Sequence, residues 1–262
     1  MVMPLEEKML RKATPAYVPE KLKHAERPVT VMHRPLQMAF LAWLVVPVVV
    51  AALHDPLGYQ HALAWHAATL ARFVDYARSP AFVAACLGLA VERVCYTVIW
   101  CYPDHFAAWT KTLRGTWLNS GEDTIVDVVY GLFKINKFFQ YGSFALLYAT
   151  APPIHENSIS FFQGLVGANL IALGQTLNLG IYRAIGKVGV YYGYKFGIHV
   201  PWCTGFPFNV LSAHPQYLGS AMTAYGAVLL TATDAHVLNG WGGLAHVQAL
   251  AYAYMSYVEH NL

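Results

Sequence analysis

The sequence predicts an all-α integral membrane protein, a polytopic helical bundle with roughly four to six membrane segments. Three observations carry that reading. Only 12% of the 262 residues are charged and 56% are hydrophobic, where a soluble domain carries about a quarter charged residues. The charge is also uneven. Residues 1–35 hold seven Lys or Arg and four acids, whereas Arg183, Lys187, Lys195, Asp234 and Glu259 make up the whole complement after residue 156. Finally, charge-free runs over 35–54, 157–182, 196–233 and 235–258 match the roughly 20 residues that span a bilayer as a helix.

Taken in order, residues 1–35 read as a polar cytoplasmic tail. Pro4, Pro15, Pro19, Pro28 and Pro35 interrupt any helix there, no cleavable signal is apparent, and the excess of Lys and Arg favours a cytoplasmic N-terminus. Residues 36–53 form the clearest first span, rising about 27 Å as a helix, with Pro47 as a kink. Residues 56–78 are apolar but interrupted by His61, Trp65, His66, Arg72 and Asp75, which suits a helix at the headgroup boundary as well as a span. Residues 36–78 are thus an additional membrane hairpin or anchor. Residues 81–100 would span if Glu92 and Arg93 did not sit among them, and the cost of charge in hydrocarbon suggests a re-entrant or broken helix.

Residues 124–149 are apolar except for Asp127, Lys134 and Lys137 near their start, so the spanning part is expected at 138–151 behind an interfacial lead-in. From residue 160 a long helix carries Gly164, Ala168, Ala172, Thr176 and Gly180 at every fourth position, a small-residue ridge suited to close helix packing. Gly174 lies off that ridge with Gly167 and Asn178, and so invites a second explanation. Residues 183–216 read as a glycine- and proline-rich connection. Residues 217–234 and 235–258 close the chain as a helical hairpin turning near 234–240, which leaves Glu259 at a membrane edge.

These features exclude several functions. A net charge of +3 without a basic stripe excludes nucleic acid as a partner. Cys86, Cys95, Cys101 and Cys203 show neither CxxC pairing nor metal-ligand spacing, so neither a disulfide framework nor a metal site is indicated. Ionisable groups within or beside membrane helices are candidate functional residues. After residue 182 these are few: Arg183, Lys187, Lys195, His199, His214, Asp234, His236, His246 and Glu259. His246 reads as a hydrogen-bonded core residue, whereas His214 stands out because Pro215 follows it.

The segment 206–220, FPFNVLSAHPQYLGS, resembles the phospholipid N-methyltransferase family, in which FPFN is followed by an (Asn or His)-Pro-x-Tyr-x-Gly-Ser element. The His-Pro form is also found in isoprenylcysteine carboxyl methyltransferases. Residues 164–198 resemble the preceding family segment, through Ala184-Ile185-Gly186, Gly189, Gly193 and Phe196-Gly197-Ile198. Residues 79–100 resemble its N-terminal segment more faintly, with Glu92-Arg93 in place of an Asn-Pro pair. The resemblance implies a methyltransferase-like membrane core over 79–262. The family's two motifs for S-adenosylmethionine, a Gly-x-Gly and a Glu-Glu pair, fall on Ala172-Leu173-Gly174 and Val258-Glu259, each with one residue changed.

That resemblance implies transfer of a methyl group from S-adenosylmethionine to phosphatidylethanolamine, or to its mono- and dimethyl derivatives, towards phosphatidylcholine, in the endoplasmic reticulum membrane. The implied cofactor-binding residues are Ala172, Leu173, Gly174, Tyr217, Gly219, Val258 and Glu259. His214 and Glu259 are the catalytic candidates, because the acceptor amine must shed a proton before it attacks. Tyr191, Tyr192 and Tyr217 could present ring faces to a cation or form an interfacial aromatic belt. Arg183, Lys187 and Lys195 suit a lipid phosphate, or orient the chain by the positive-inside rule. A related membrane methyltransferase, a sterol reductase and a non-catalytic scaffold are the alternatives; the oligomeric state is left open.

Overall fold

The computed structural model describes residues 32–120, 124–151, 159–200, 203–211 and 214–261. The tail expected at 1–35 therefore lies outside the described residues except for its last four positions. Every regular element among the described residues is helical: α1 Arg34–His54, α2 Pro56–Ala71, α3 Phe73–Tyr76, α4 Pro80–Cys101, α5 Pro103–Thr112, α6 Ile125–Ala149, α7 Phe161–Val190, a 3-10 turn Gly193–Phe196, α8 Pro215–Thr231, α9 Asp234–Asn239 and α10 Trp241–Asn261.

Three stretches are long and apolar enough to cross a membrane: Arg34–His54, Pro80–Cys101 and Phe161–Phe196. On α1 the apolar side chains face outward, with Leu41, Trp43, Val46 and Val49 all about half exposed. In water such a surface would be costly; against lipid tails it is matched. This is a membrane protein.

Local chemistry fixes the helix ends. Ser79 caps α4 by accepting from the Phe82 N–H. Thr124 and Asp127 form a reciprocal capping box at the start of α6, and Ser160 and Gln163 another at α7, each satisfying donors that have no partner within the helix. Asp55 serves two helices at once: Oδ1 accepts from Gly58 N at 2.8 Å in α2, and Oδ2 from Phe162 N at 3.0 Å in α7. Those N–H groups, that of Phe162 foremost, hold its carboxyl below the usual carboxylate range.

Four expectations are corrected by the fold. The pair Glu92–Arg93 does not break its helix: α4 runs unbroken through it, because Lys137 and Gln140 of α6 satisfy the charges from alongside. Residues 56–78 are two helices, α2 and α3, joined at Arg72. The connection expected from residue 183 is helical as far as Val190, with a break at Gly186 (φ 63°, ψ −176°), a conformation open to glycine without penalty.

The fourth correction concerns packing between α7 and α8. Ala168 and Ala172 of the expected ridge are exposed, and a methyl built at Gly164 would meet only the far end of Ile159. Contact runs instead through Gly167 and Gly174. A methyl at Gly167 would lie 3.0 Å from the Gly226 carbonyl oxygen, and one at Gly219 would lie 2.7 Å from that of Gly174. The two antiparallel helices thus touch backbone to backbone at two levels. Leu173, Leu177 and Met222 fill the adjoining core, with Phe40 and Leu44 of α1 against them.

Candidate functional site

α6 packs on α4, α8 packs on α7 and α10, and α10 also packs on α4. Between these two halves lies a cavity of about 430 Å³. Its apolar end is lined by Phe144 of α6, Ala227 and Val228 of α8, and Leu244 and Ala245 of α10; the other end carries the polar chemistry.

At that polar end the last turn of α10 presents Glu259, its side chain only 5% exposed. Its Oε1 accepts from the Tyr192 hydroxyl at 2.7 Å and also from the Tyr217 hydroxyl. Its Oε2 lies 3.3 Å from His214 Nδ1. Three elements converge here: the loop after α7 supplies Tyr192, the start of α8 supplies His214 and Tyr217, and α10 supplies the acid. Tyr217 is stacked between His214 (centroids 5.2 Å, 7°) and Tyr252 (5.2 Å, 26°).

Backbone strain coincides with this cluster. Tyr192 (φ 56°) and His214 (φ 45°) are the two non-glycine residues with positive φ among the described residues, and both are bonded to Glu259. Such conformations cost of order 1–3 kcal/mol each and persist where surrounding contacts over-determine them. At His214 the following proline also bars the right-handed helical conformation.

A second polar cluster sits further along the same cavity. Glu92 Oε2 accepts from Arg93 Nη2 (3.1 Å), Lys137 Nζ (2.8 Å) and Gln140 Nε2 (3.0 Å), and Lys137 Nζ also donates to Gln140 Oε1 at 2.7 Å. The Arg93 guanidinium lies 4.4 Å from the Tyr252 ring centroid. Arg93, Tyr252, Tyr217 and Glu259 therefore form a continuous series of contacts linking the clusters. Sequence reasoning missed Lys137, Gln140, Tyr192 as an acid partner, and Tyr252. Glu92 and Arg93 did signal themselves as a charged pair in an apolar run, and Lys137 and Gln140, three residues apart, share the helix face that answers it.

Of the expected site residues, the fold brings His214, Tyr217 and Glu259 together on the cavity wall. The others lie elsewhere. Gly174 and Gly219 form the α7–α8 crossing, Leu173 is buried beside α1, Ala172 is exposed, and Val258 is buried among Ile99, Trp100 and Met255. Of the expected phosphate ligands, Lys187 is paired with Asp127 and lies over Tyr130, Lys195 Nζ lies 3.7 Å from the Trp100 ring centroid, and Arg183 borders a separate depression with Cys203 and Phe206. Ser212 and Ala213, between FPFN and His214, lie outside the described residues. No group of three or more potential metal ligands occurs among the described residues.

Fold and site together define a helical membrane protein whose long cavity passes from an apolar end to a buried carboxylate ringed by tyrosines and a histidine. The model of the phospholipid methyltransferase family matches residues 162–262, which contain α7, α8 and α10. A phosphatidyl-N-methylethanolamine N-methyltransferase of Arabidopsis thaliana is 33% identical over 122 residues, covering 46% of this chain and 69% of that relative. A protein of the same name from Emericella nidulans is 29% identical over 175 residues, 65% of this chain and 79% of the relative. One from Saccharomyces cerevisiae is 43% identical over 65 residues, 24% of this chain and 31% of the relative. No solved structure matches. The chain belongs to the phospholipid methyltransferase family.

Proposed function

We propose that this enzyme N-methylates phosphatidylethanolamine or its mono- and dimethyl derivatives, with S-adenosylmethionine as methyl donor, towards phosphatidylcholine. The observation that carries the proposal is the placement of Glu259, buried and ringed by Tyr192, Tyr217 and His214, in a cavity whose other end is apolar. The names of the relatives favour partly methylated lipids as acceptors. The reading extends to the endoplasmic reticulum membrane, a cytoplasmic N-terminus and a core over residues 79–262 with 36–78 as an added anchor. It also includes a count of four to six membrane segments, with α6, α8 and α10 joining the three apolar spans.

The residues present suit the cofactor. A buried carboxylate answers a ligand that carries an ammonium charge, so Glu259 would hold it, beside Tyr217 and Tyr252. When bound, S-adenosylmethionine supplies an electrophilic methyl on sulfur. Glu259 orients the cationic ligand, while Tyr192 and Tyr217 fix that carboxylate through their hydroxyls. The stacked Tyr217 and Tyr252 rings exclude water from the reaction path. His214, with Nδ1 facing Glu259, accepts the proton that the lipid ammonium must lose before its nitrogen attacks, and the carboxylate stabilises the imidazolium so formed.

The test is transfer of radiolabelled methyl to phosphatidylethanolamine and to its mono- and dimethyl forms, each offered separately to the purified enzyme in mixed micelles. Label in any of the three identifies the step. Absence of label in all three, with folded protein, refutes the proposal.

A further inference from the structure

We propose that Arg93 and Lys137 form the seat for the phosphate of the lipid whose amine is methylated; this rests on the phospholipid reading above. The first ground is charge. Two cations share one carboxylate, since Glu92 Oε2 receives both Arg93 Nη2 and Lys137 Nζ, and Gln140, the remaining member of the cluster, is neutral. This cluster therefore carries one more positive than negative charge. The balancing carboxylate of the cavity, Glu259, stands at its far end beyond Tyr252 and Tyr217, so an anion is favoured beside the cations. The second ground is an unused donor. Arg93 is 5% exposed and lines the cavity, and its Nε is buried without a hydrogen-bond partner. Lys137 Nζ spends two N–H groups on Glu92 and Gln140, which leaves a third. Guanidinium and ammonium donors side by side suit the two non-bridging oxygens of a phosphodiester.

The third ground is order. Along a phospholipid the groups run from acyl chain to phosphate to amine, the last two separated by two carbons. Along the cavity the walls run from Phe144, Val228 and Leu244, through Lys137 and Arg93, to Tyr252, Tyr217 and Glu259. The two sequences coincide. A lipid lying with its chains between α6 and α8 therefore brings its phosphate to the cationic pair and its amine to the carboxylate end. The expected ligands Arg183, Lys187 and Lys195 are not among the residues that line this cavity.

A carboxylate of the methyl donor offers similar oxyanion chemistry, so the test separates the two sources. Lys137→Met keeps the Glu92–Arg93 pair, and Lys137→Arg restores a donor. Each variant is assayed for KM and kcat with phosphatidyl-N-methylethanolamine and with a diacylglycerol bearing an aminoalkyl ether in place of the phosphate ester. S-adenosylmethionine affinity and retention of radiolabelled phosphatidylethanolamine by purified protein are measured in parallel.

For Lys137→Met the expected result is a lipid KM raised about tenfold or more, kcat within about twofold, unchanged cofactor affinity, and recovery in Lys137→Arg. Wild type and Lys137→Met should use the phosphate-free lipid equally. An unchanged phospholipid KM and retention would overturn the assignment, as would a loss confined to cofactor affinity. Retention that depends on Lys137 in a wild-type protein without methyl transfer would uphold the phosphate seat and refute the methyl-transfer reading.

Discussion

Gly219→Ala and Gly174→Ala test what the glycines of the α7–α8 crossing do. A methyl at Gly219 would stand 2.7 Å from the Gly174 carbonyl oxygen and 2.9 Å from Leu177 Cβ, against an optimal separation of roughly 3.5–4.0 Å. The obstacle is largely backbone, so no side chain can swing clear and the helices must part by about 1 Å. Overpacking of that kind costs about 1–3 kcal/mol. Unfolding in mixed micelles with a graded fraction of denaturing detergent measures it, with S-adenosylmethionine binding followed on the same samples. Both variants should lose stability by similar amounts, and cofactor affinity should fall no further in Gly174→Ala than in Gly219→Ala. Ala172→Gly, which restores the family's Gly-x-Gly, should cost up to about 1 kcal/mol as an exposed helix position and bring no gain in affinity. Full stability in Gly174→Ala together with lost cofactor binding would refute the packing argument, as would a tenfold gain in Ala172→Gly.

Other outcomes follow from the site. Glu259→Gln removes the charge at the centre of the tyrosine cluster and should weaken S-adenosylmethionine binding about 10- to 100-fold, read by equilibrium dialysis; unchanged affinity removes Glu259 from the donor site. His214→Ala should lower kcat by about 100-fold or more while leaving lipid KM within a few-fold, and the loss should shrink as the assay pH rises and more of the free amine forms; a pH-independent loss would assign His214 a structural role only. At Asp55 the folded carboxyl is held down by the Phe162 and Gly58 N–H groups. Its contribution is therefore complete above the ordinary carboxylate pKa and is lost as pH falls through the lowered value. Protection factors at Gly58 and Phe162, that is, exchange rates corrected for the intrinsic pH dependence of amide exchange, should fall on acidification in the wild type, and an Asp55→Asn variant should show no such step.

The helices were largely legible because a membrane demands long apolar segments, and residues 36–53, 81–100 and 124–149 stand out by composition alone. What the sequence could not supply was who meets whom. The charged pair in α4 looked like a break because its partners, Lys137 and Gln140, lie some forty-five residues away on α6; once paired, it costs the helix nothing visible. The fourfold ridge on α7 divides, with Ala168 and Ala172 facing outward while Gly180 packs against the Phe206 ring, and none of these three makes the crossing with α8. Gly167 and Gly174, seven apart, are matched by Gly219 and Gly226, seven apart on α8, and that pairing is visible only when both helices are read together. At the site, motif reading found His214, Tyr217 and Glu259, whose chemistry requires particular residue types. It named Tyr192 as a ring face for a cation and not as a partner of the acid, and it missed Tyr252, because an aromatic residue in a membrane protein carries little information until its neighbours are known.

The attachment of α1 bears on the order in which this chain can be built. The backbone N–H of His33 donates to the carbonyl of Asn209, Gln37 Nε2 to that of Val210, and Asn169 Nδ2 to that of Trp43, so the first of the described helices is held by residues made more than a hundred positions later. Until α7 and the FPFN turn emerge it has its neighbour α2 to pack against but none of these anchors. Assembly of the site is accordingly a late event, and a nascent chain arrested before residue 209 would hold its first helix without those anchors.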